Sequence, residues 1–199
     1  MNFLAHIYLA GENEDHVIGQ VMADFLERGW QERVSDGVLQ GIRLHQQVDM
    51  FTDSHDVFQR SRERLPTELR RYAGIVVDIF YDHVLARNWD RFHDVSLDEF
   101  AQSRYRILGS RPEGLTDRMR RALPSIVTHD WLTSYREIEG IERALKGVSN
   151  RLKRANPMAE AGLVLRRERV GFETDFLEFF PDLEAFAAKL RATRYPIGS

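Results

Sequence analysis

The sequence predicts an all-α helical bundle folded as one domain. Three observations carry that prediction. Apolar residues recur with the helical period almost throughout, and no alternating run sits between hairpin turns. The prolines, Pro66, Pro112, Pro124, Pro157, Pro181 and Pro196, fall near expected helix ends. No linker, internal repeat or low-complexity segment divides the 199 residues, a length that suits a single full core.

The elements follow in order. Residues 1–10 form a short apolar segment and 11–15 a polar turn. A helix is expected from about His16 to Arg28, ended by Gly29. Ser35 or Asp36 caps a long helix to about Thr52, and Ser54 caps the next, to about Arg64. Thr67, one residue past Pro66, opens a helix reaching Asn88 or Trp89. Ser96-Leu97-Asp98-Glu99 is a capping-box pattern that starts a helix to about Leu108. Residues 109–114 read as a loop. Helices then cover roughly 115–145, interrupted near Pro124 or Asp130, and 158–191, interrupted at Pro181. The tail from Tyr195 to Ser199 is expected to be loose.

Composition narrows the function classes. With 43% hydrophobic and 30% charged residues the chain is an ordinary globular sequence. It has no cysteine, so disulfides and thiolate zinc sites are excluded, and any metal must be held by His, Asp, Glu, Asn or water. The opening segment lacks the basic stretch of a signal peptide, and no stretch is long enough to span a bilayer, so a cytoplasmic protein without membrane association is expected. A net charge of −3 argues against nucleic acid as the main partner. Nothing in the sequence specifies an oligomeric state.

The informative residues are acids and histidines set in apolar surroundings. His6 lies within Phe3-Leu4-Ala5-His6-Ile7-Tyr8-Leu9, and Asp24 within Val21-Met22-Ala23-Asp24-Phe25-Leu26. His45 and Asp49 share one helix face four residues apart, as do Asp78 and Asp82. The helix bearing Asp78 and Asp82 is apolar around most of its circumference, which marks it as central. An unpaired buried carboxylate costs several kcal/mol or takes up a proton. One such acid is ordinarily satisfied by a cap, an arginine or a hydroxyl. Repetition across four segments points instead to a shared cation. Mixed imidazole and carboxylate ligands favour Mn, Mg, Fe or Zn over calcium or copper. The dipeptides His55-Asp56, His93-Asp94 and His129-Asp130 superficially match the HD phosphohydrolase signature, but each sits at an expected helix end and reads as structural. There is no Walker loop and no Gly-x-Ser-x-Gly elbow.

The same residues carry a family resemblance. Met1-Asn2-Phe3-Leu4-Ala5-His6, Gly19-Gln20-Val21-Met22-Ala23-Asp24-Phe25, Gly41-Ile42-Arg43-Leu44-His45 through Asp49-Met50-Phe51-Thr52-Asp53, and Asp78 through Asp82-His83 together resemble the acyl carrier protein phosphodiesterase family. The resemblance is strongest over residues 1–90 and continues more weakly through Trp131-Leu132-Thr133-Ser134-Tyr135-Arg136. It implies an HD-like all-α fold and hydrolysis of the phosphodiester between the carrier protein serine and 4′-phosphopantetheine. It also implies a divalent metal, commonly manganese, with magnesium or iron as alternatives. The implied site residues are His6, Asp24, His45, Asp49, Asp78, Asp82 and His83. The usual His-Asp order is reversed here in Asp82-His83.

On that reading Asp24, His45, Asp78 and Asp82 hold the metal, with His6 as ligand or neighbour and Asp49 orienting His45. Asp24 and His83 are the candidate catalytic groups. His83, about 100° round the helix from Asp82, is either a proton donor to the leaving serine oxygen or structural. The substrate, holo-acyl carrier protein, is acidic, so an arginine-rich docking face is expected. Arg60, Arg62, Arg64, Arg70 and Arg71 form one group, Arg118, Arg120 and Arg121 a second, and Arg166, Arg167 and Arg169 a third. Two other readings compete. One is a metal phosphohydrolase acting on a nucleotide or other small phosphoester. The other is a non-catalytic helical module whose buried acids pair with arginines.

Overall fold

Local signals start most helices where side chains can cap them. The structure, a computed structural model, describes residues 1–193. Ten α-helices run in order: α1 (Phe3–Leu9), α2 (Glu14–Met22), α3 (Asp36–Ser54), α4 (Asp56–Glu63), α5 (Ala73–Arg87), α6 (Leu97–Ser110), α7 (Asp117–Thr128), α8 (Trp131–Ser134), α9 (Ile138–Arg151) and α10 (Gly162–Ala192). Short 3-10 turns join several of them, and there is no strand among the described residues. Asn13, Ser35 and Thr116 accept a hydrogen bond from the backbone N–H three residues on and open α2, α3 and α7. Ser96 and Glu99 form the full capping box at the start of α6.

Several boundaries differ from the sequence expectation. The helix expected to reach Arg28 ends at Met22 and tightens into a 3-10 turn over Ala23–Phe25. Residue 55, not Ser54, caps α4: His55 is extended and its Nδ1 accepts from Val57 N. Thr67–Tyr72 is a 3-10 turn, so α5 proper starts at Ala73. The interruption after 115 falls at Asp130, which has a positive φ of 42°, whereas Pro124 stays inside α7. Nor does Pro181 break α10, which runs unbroken for 31 residues. Both prolines face solvent, where water can satisfy the carbonyl four residues back. The tail Tyr195 to Ser199 lies outside the described residues.

The core is built on α5 and α10. Val76, Val77, Ile79, Phe80, Tyr81, Val84 and Leu85 of α5 are all buried, as its all-round apolar pattern predicts. Helix α10 is roughly 46 Å long at the usual rise. It lays Phe172, Phe176 and Phe179 against α5, with Phe172 edge-on to Phe80 at 5.0 Å and Phe176 edge-on to Tyr81 at 5.2 Å. The acid in this layer, Asp175, is completely buried and fully partnered. It accepts from Arg60 Nε at 2.8 Å, Arg64 Nε at 2.6 Å and Ser61 Oγ at 2.8 Å. Burial alone would raise its carboxyl, but these donors hold it below the usual carboxylate range.

Two close approaches position the site. Helices α2 and α3 pack with almost no space between backbones: a Cβ at Gly19 would lie 2.3 Å from Val38 O, and one at Gly41 2.7 Å from His16 O. The second involves α1, which has only seven residues and no side-chain cap of its own. Its first free amides, Leu4 N and Ala5 N, donate to Asp82 Oδ2 and Oδ1 at 2.7 and 3.0 Å. Asp82 on α5 thus caps α1 from across the core. Burial pushes the Asp82 carboxyl up to about 7, with the two amide donors opposing. Among the described residues no helix is long and apolar enough to cross a membrane.

The pH dependence has a definite sign. Between the ordinary aspartate value and about 7, folded Asp82 holds a proton that the unfolded chain has released. The stability from this group therefore falls as pH rises through that window. The thermal midpoint of wild type relative to Asp82→Asn should fall between pH 4.5 and 7.5. A difference independent of pH would show that Asp82 is ionised throughout.

Candidate metal centre

Three of the expected side chains meet at one point. His6 comes from α1, and His45 and Asp49 from one face of α3. Their ligand atoms all lie within 4.8 Å of one another, a grouping able to hold a metal ion. His6 Nε2 is 3.1 Å from Asp49 Oδ1, and His45 Nε2 is 3.2 Å from Asp49 Oδ2. The two imidazoles stack, with ring centroids 3.7 Å apart and an interplanar angle of 12°. Both are buried, while Asp49 is 41% exposed, so the group opens to solvent on the carboxylate side.

Protonation makes the arrangement informative. The other nitrogen of His6, Nδ1, lies 2.9 Å from Gln20 Oε1. A carbonyl acceptor there requires the proton on Nδ1, which leaves a lone pair on Nε2. That lone pair faces the Asp49 carboxylate and has no hydrogen-bond partner among the described residues. Burial, and then the neighbouring His45, lower the His6 pKa to about 3, so the ring is neutral at physiological pH. Burial alone would raise the Asp49 carboxyl, but contacts with the His45 and His6 imidazoles, and then the Met1 ammonium, hold it below the usual range. A neutral imidazole lone pair facing an ionised carboxylate is a pair of acceptors, the condition under which a cation fits between them.

The remaining residues sit around this group in distinct ways. Asp24 lies at its rim in the 3-10 turn after α2, with Oδ1 3.9 Å from His45 Nε2 and its side chain 46% exposed. Protein mass hems in the inner side of Asp24, and that desolvation raises its carboxyl, with His45 opposing. Asp78 takes up the Met1 α-ammonium at 3.0 Å, and the same ammonium donates to Asp49 Oδ1 at 3.0 Å. Burial works against the charge on that amine, but Asp78 and Asp49 outweigh it and raise it to about 11.

Asp82 and His83 do not join the group. Both Asp82 oxygens are committed to the start of α1. His83 turns toward α8, where its Nδ1 donates to Tyr135 O at 2.7 Å, and it is buried there. The expected convergence of all six metal candidates thus narrows to His6, His45 and Asp49, with Asp24 beside them. An acid four residues from another on α5 meets a different partner, because α1 begins against α5 just there. The His-Asp dipeptides serve local backbone: His55 caps α4, His93 Nδ1 accepts from Val95 N, and His129 Nδ1 bonds Ser125 O.

Two participants were missed in the sequence. Gln20 is completely buried and fixes the tautomer of His6. An uncharged amide in an apolar helix is a weaker signal than an acid, although its position four residues before Asp24 was available. The Met1 ammonium carries no residue-type signal at all. Of the arginine groups, Arg60 and Arg64 are committed to Asp175, Arg120 to Asp117 and Arg166 to Glu139 and Glu142. Arg118 lies over the Phe25 ring, beside Asp24.

Comparison with known proteins agrees with this placement of the chain. The family model described as acyl carrier protein phosphodiesterase matches residues 1–183. The acyl carrier protein phosphodiesterase of Escherichia coli O157:H7 is 30% identical over 191 residues, covering 95% of this chain and 98% of that protein. The one from Shigella boydii serotype 18 is 30% identical over 190 residues, covering 94% and 98%. No solved structure matches the chain. With the family model spanning nearly its whole length, the chain belongs to the acyl carrier protein phosphodiesterase family.

Proposed function

We propose that this chain hydrolyses 4′-phosphopantetheine from holo-acyl carrier protein, releasing the apo protein, with a divalent cation held by His6, His45 and Asp49. The observation that supports it best is the buried, neutral His6 Nε2 facing Asp49 with no hydrogen-bond partner among the described residues. Family membership supplies the substrate, since the relatives carry that name. A nucleotide or other small phosphoester, the alternative substrate, has no such support. The HD-like kinship belongs to the same proposal, as does a cytoplasmic location, where the carrier protein would be met.

The residues divide the work. His6 and His45 offer ring nitrogens from two helices, and Asp49 offers both oxygens between them. Mixed nitrogen and oxygen ligands suit manganese, with magnesium or iron as alternatives. When bound, the divalent cation offsets the negative charge of the phosphoryl oxygens and lowers the pKa of the attacking water. Gln20 holds the His6 ring in the tautomer that presents Nε2. Asp24, exposed at the rim and raised above the usual carboxylate range, accepts the proton of that water. The phosphorus–oxygen bond to the carrier serine breaks, a proton goes to the serine oxygen, and the phosphate leaves on the pantetheine. Asp78 positions Asp49 through the shared Met1 ammonium. His83 braces α5 against the chain at Tyr135.

The acidic carrier protein docks on exposed arginines. Arg70 and Arg71 are exposed and have no ion pair among the described residues, and Arg118 lies over the ring of Phe25, the chain neighbour of Asp24. Their effect is on encounter rate more than on final affinity.

Mass spectrometry of holo-carrier protein incubated with the enzyme and manganese should show loss of the phosphopantetheine mass. Asp49→Asn and His45→Gln should each reduce turnover by about two orders of magnitude or more and abolish stoichiometric metal in elemental analysis. Turnover and metal content retained in both variants would refute the ligand set.

The Michaelis constant for carrier protein should rise with salt far more steeply than that for a small pantetheine diester, because surface charge attraction is screened. Equal, flat dependence for both would remove the docking surface.

A further inference from the structure

Beside the metal centre lies a cavity of about 140 Å³ between α1, α5, α8 and α9. Its walls are mostly apolar: Phe3, Ile79, Trp131 and Val148 line it, and Arg143 and Arg151 of α9 stand with them. The connection to the centre runs through shared chain. Asn2, in the cavity wall, follows the Met1 whose ammonium touches Asp49, and Ile79 follows Asp78. The Phe3 ring packs on Trp131 at 5.6 Å and on Phe25, the neighbour of Asp24, at 6.0 Å.

Size and chemistry select the occupant. A dry cavity of about 150 Å³ holds one benzene, so this one holds a compact apolar group and not a whole phosphopantetheine arm. Cationic side chains at an apolar pocket suit an apolar group that is joined to an anion. Next to its phosphate ester, phosphopantetheine carries a methylene and then a quaternary carbon bearing two methyl groups. That branched segment is compact, apolar and tied directly to the phosphate.

We propose that this cavity is the specificity pocket of the enzyme, receiving the dimethyl-bearing end of the pantetheine arm while Arg143 and Arg151 face its phosphate. The assignment rests on the proposed activity for the identity of the arm. Arg143 has no ion pair among the described residues, and Arg151 donates only to its own helix, from Nε to Gly147 O at 3.3 Å. Both are therefore free to turn to a phosphate. The pocket ends well short of the arm's length, so the thiol end and any acyl group on it extend beyond. The enzyme then reads the phosphate end and accepts both free and acylated arms.

Helix α9 allows the pocket to be filled from its floor. Ala144 and Gly147 line it, and a Cβ at Gly147 would meet nothing within 4 Å. Gly147→Leu therefore starts from an unhindered Cβ, adds bulk and favours the helix. Binding of free pantetheine 4′-phosphate to the full-length, manganese-loaded protein is the test, read by titration calorimetry and saturation-transfer NMR. In wild type, transfer should be strongest at the two methyl groups. Gly147→Leu and Ala144→Phe should each weaken binding by roughly tenfold, the value of two buried methyls. Gly109→Leu, on the exposed part of α6, should leave it unchanged. Unchanged affinity in both filled variants, transfer centred on the thiol end, or no binding to wild type would overturn the pocket. If the compound binds as described while holo-carrier protein stays intact in the mass spectrometer, the activity fails and the pocket stands.

Discussion

The capping of α1 by Asp82 is the contact on which the site depends. A seven-residue helix has no stability of its own in water. This one also lacks a side-chain cap, so its first amides need an acceptor from elsewhere. The two oxygens of Asp82 supply it at 2.7 and 3.0 Å, from a core helix of the bundle. That contact fixes where α1 begins and hence where His6, one turn on, points. It also brings the Met1 ammonium against Asp78 and Asp49. An acid that reads in the sequence as a ligand thus acts one step back, by holding the element that carries His6.

The second constraint is charge. Around His6 and His45 stand the carboxylates of Asp24, Asp49 and Asp78, and the Met1 ammonium touches both Asp49 and Asp78. His6 adds none, because burial and the stacked His45 ring keep it neutral. The cluster gathers three carboxylates around two imidazoles, an acid-rich donor set of the kind the proposed divalent ion would use. The close backbone packing of Gly19 and Gly41 serves the same end, since it brings Gln20 on α2 to the ring of His6 while α3 carries His45 and Asp49 to the other side.

Much of this was legible from residue types, and the limits have physical causes. The all-α class followed from apolar periodicity, and the caps at Ser35 and Ser96 stand as the sequence places them. His45 and Asp49 share a helix face, so their meeting needed only the helical repeat. His6 required knowledge of where α1 docks, which the sequence offers only as an apolar context. Asp78 and Asp82 have the same spacing as His45 and Asp49, yet what each meets depends on the neighbouring element. Pro181 failed as a helix breaker because the phenylalanines around it are buried and hold α10 together. The cavity by α9 has no motif, being made of small residues on one helix and aromatic ones on two others.

Asp175 provides the internal comparison that separates a structural acid from a functional one. It is completely buried, and the fold answers it with two guanidinium groups and a hydroxyl. The arginines that do so, Arg60 and Arg64, are ones that the sequence alone would assign to a docking face. Asp49 is treated in the opposite way. No arginine approaches it among the described residues; it faces two imidazole nitrogens and an ammonium, and it keeps an edge open to solvent. A fold that needed only to neutralise this acid had the means, and used them for Asp175. Asp49 is instead held ionised by the imidazoles and the Met1 ammonium, with an edge left open to solvent where a cation can reach it. The fold thus answers Asp175 with arginines and leaves Asp49 an ionised oxygen at the surface, the feature on which the proposed cation site rests.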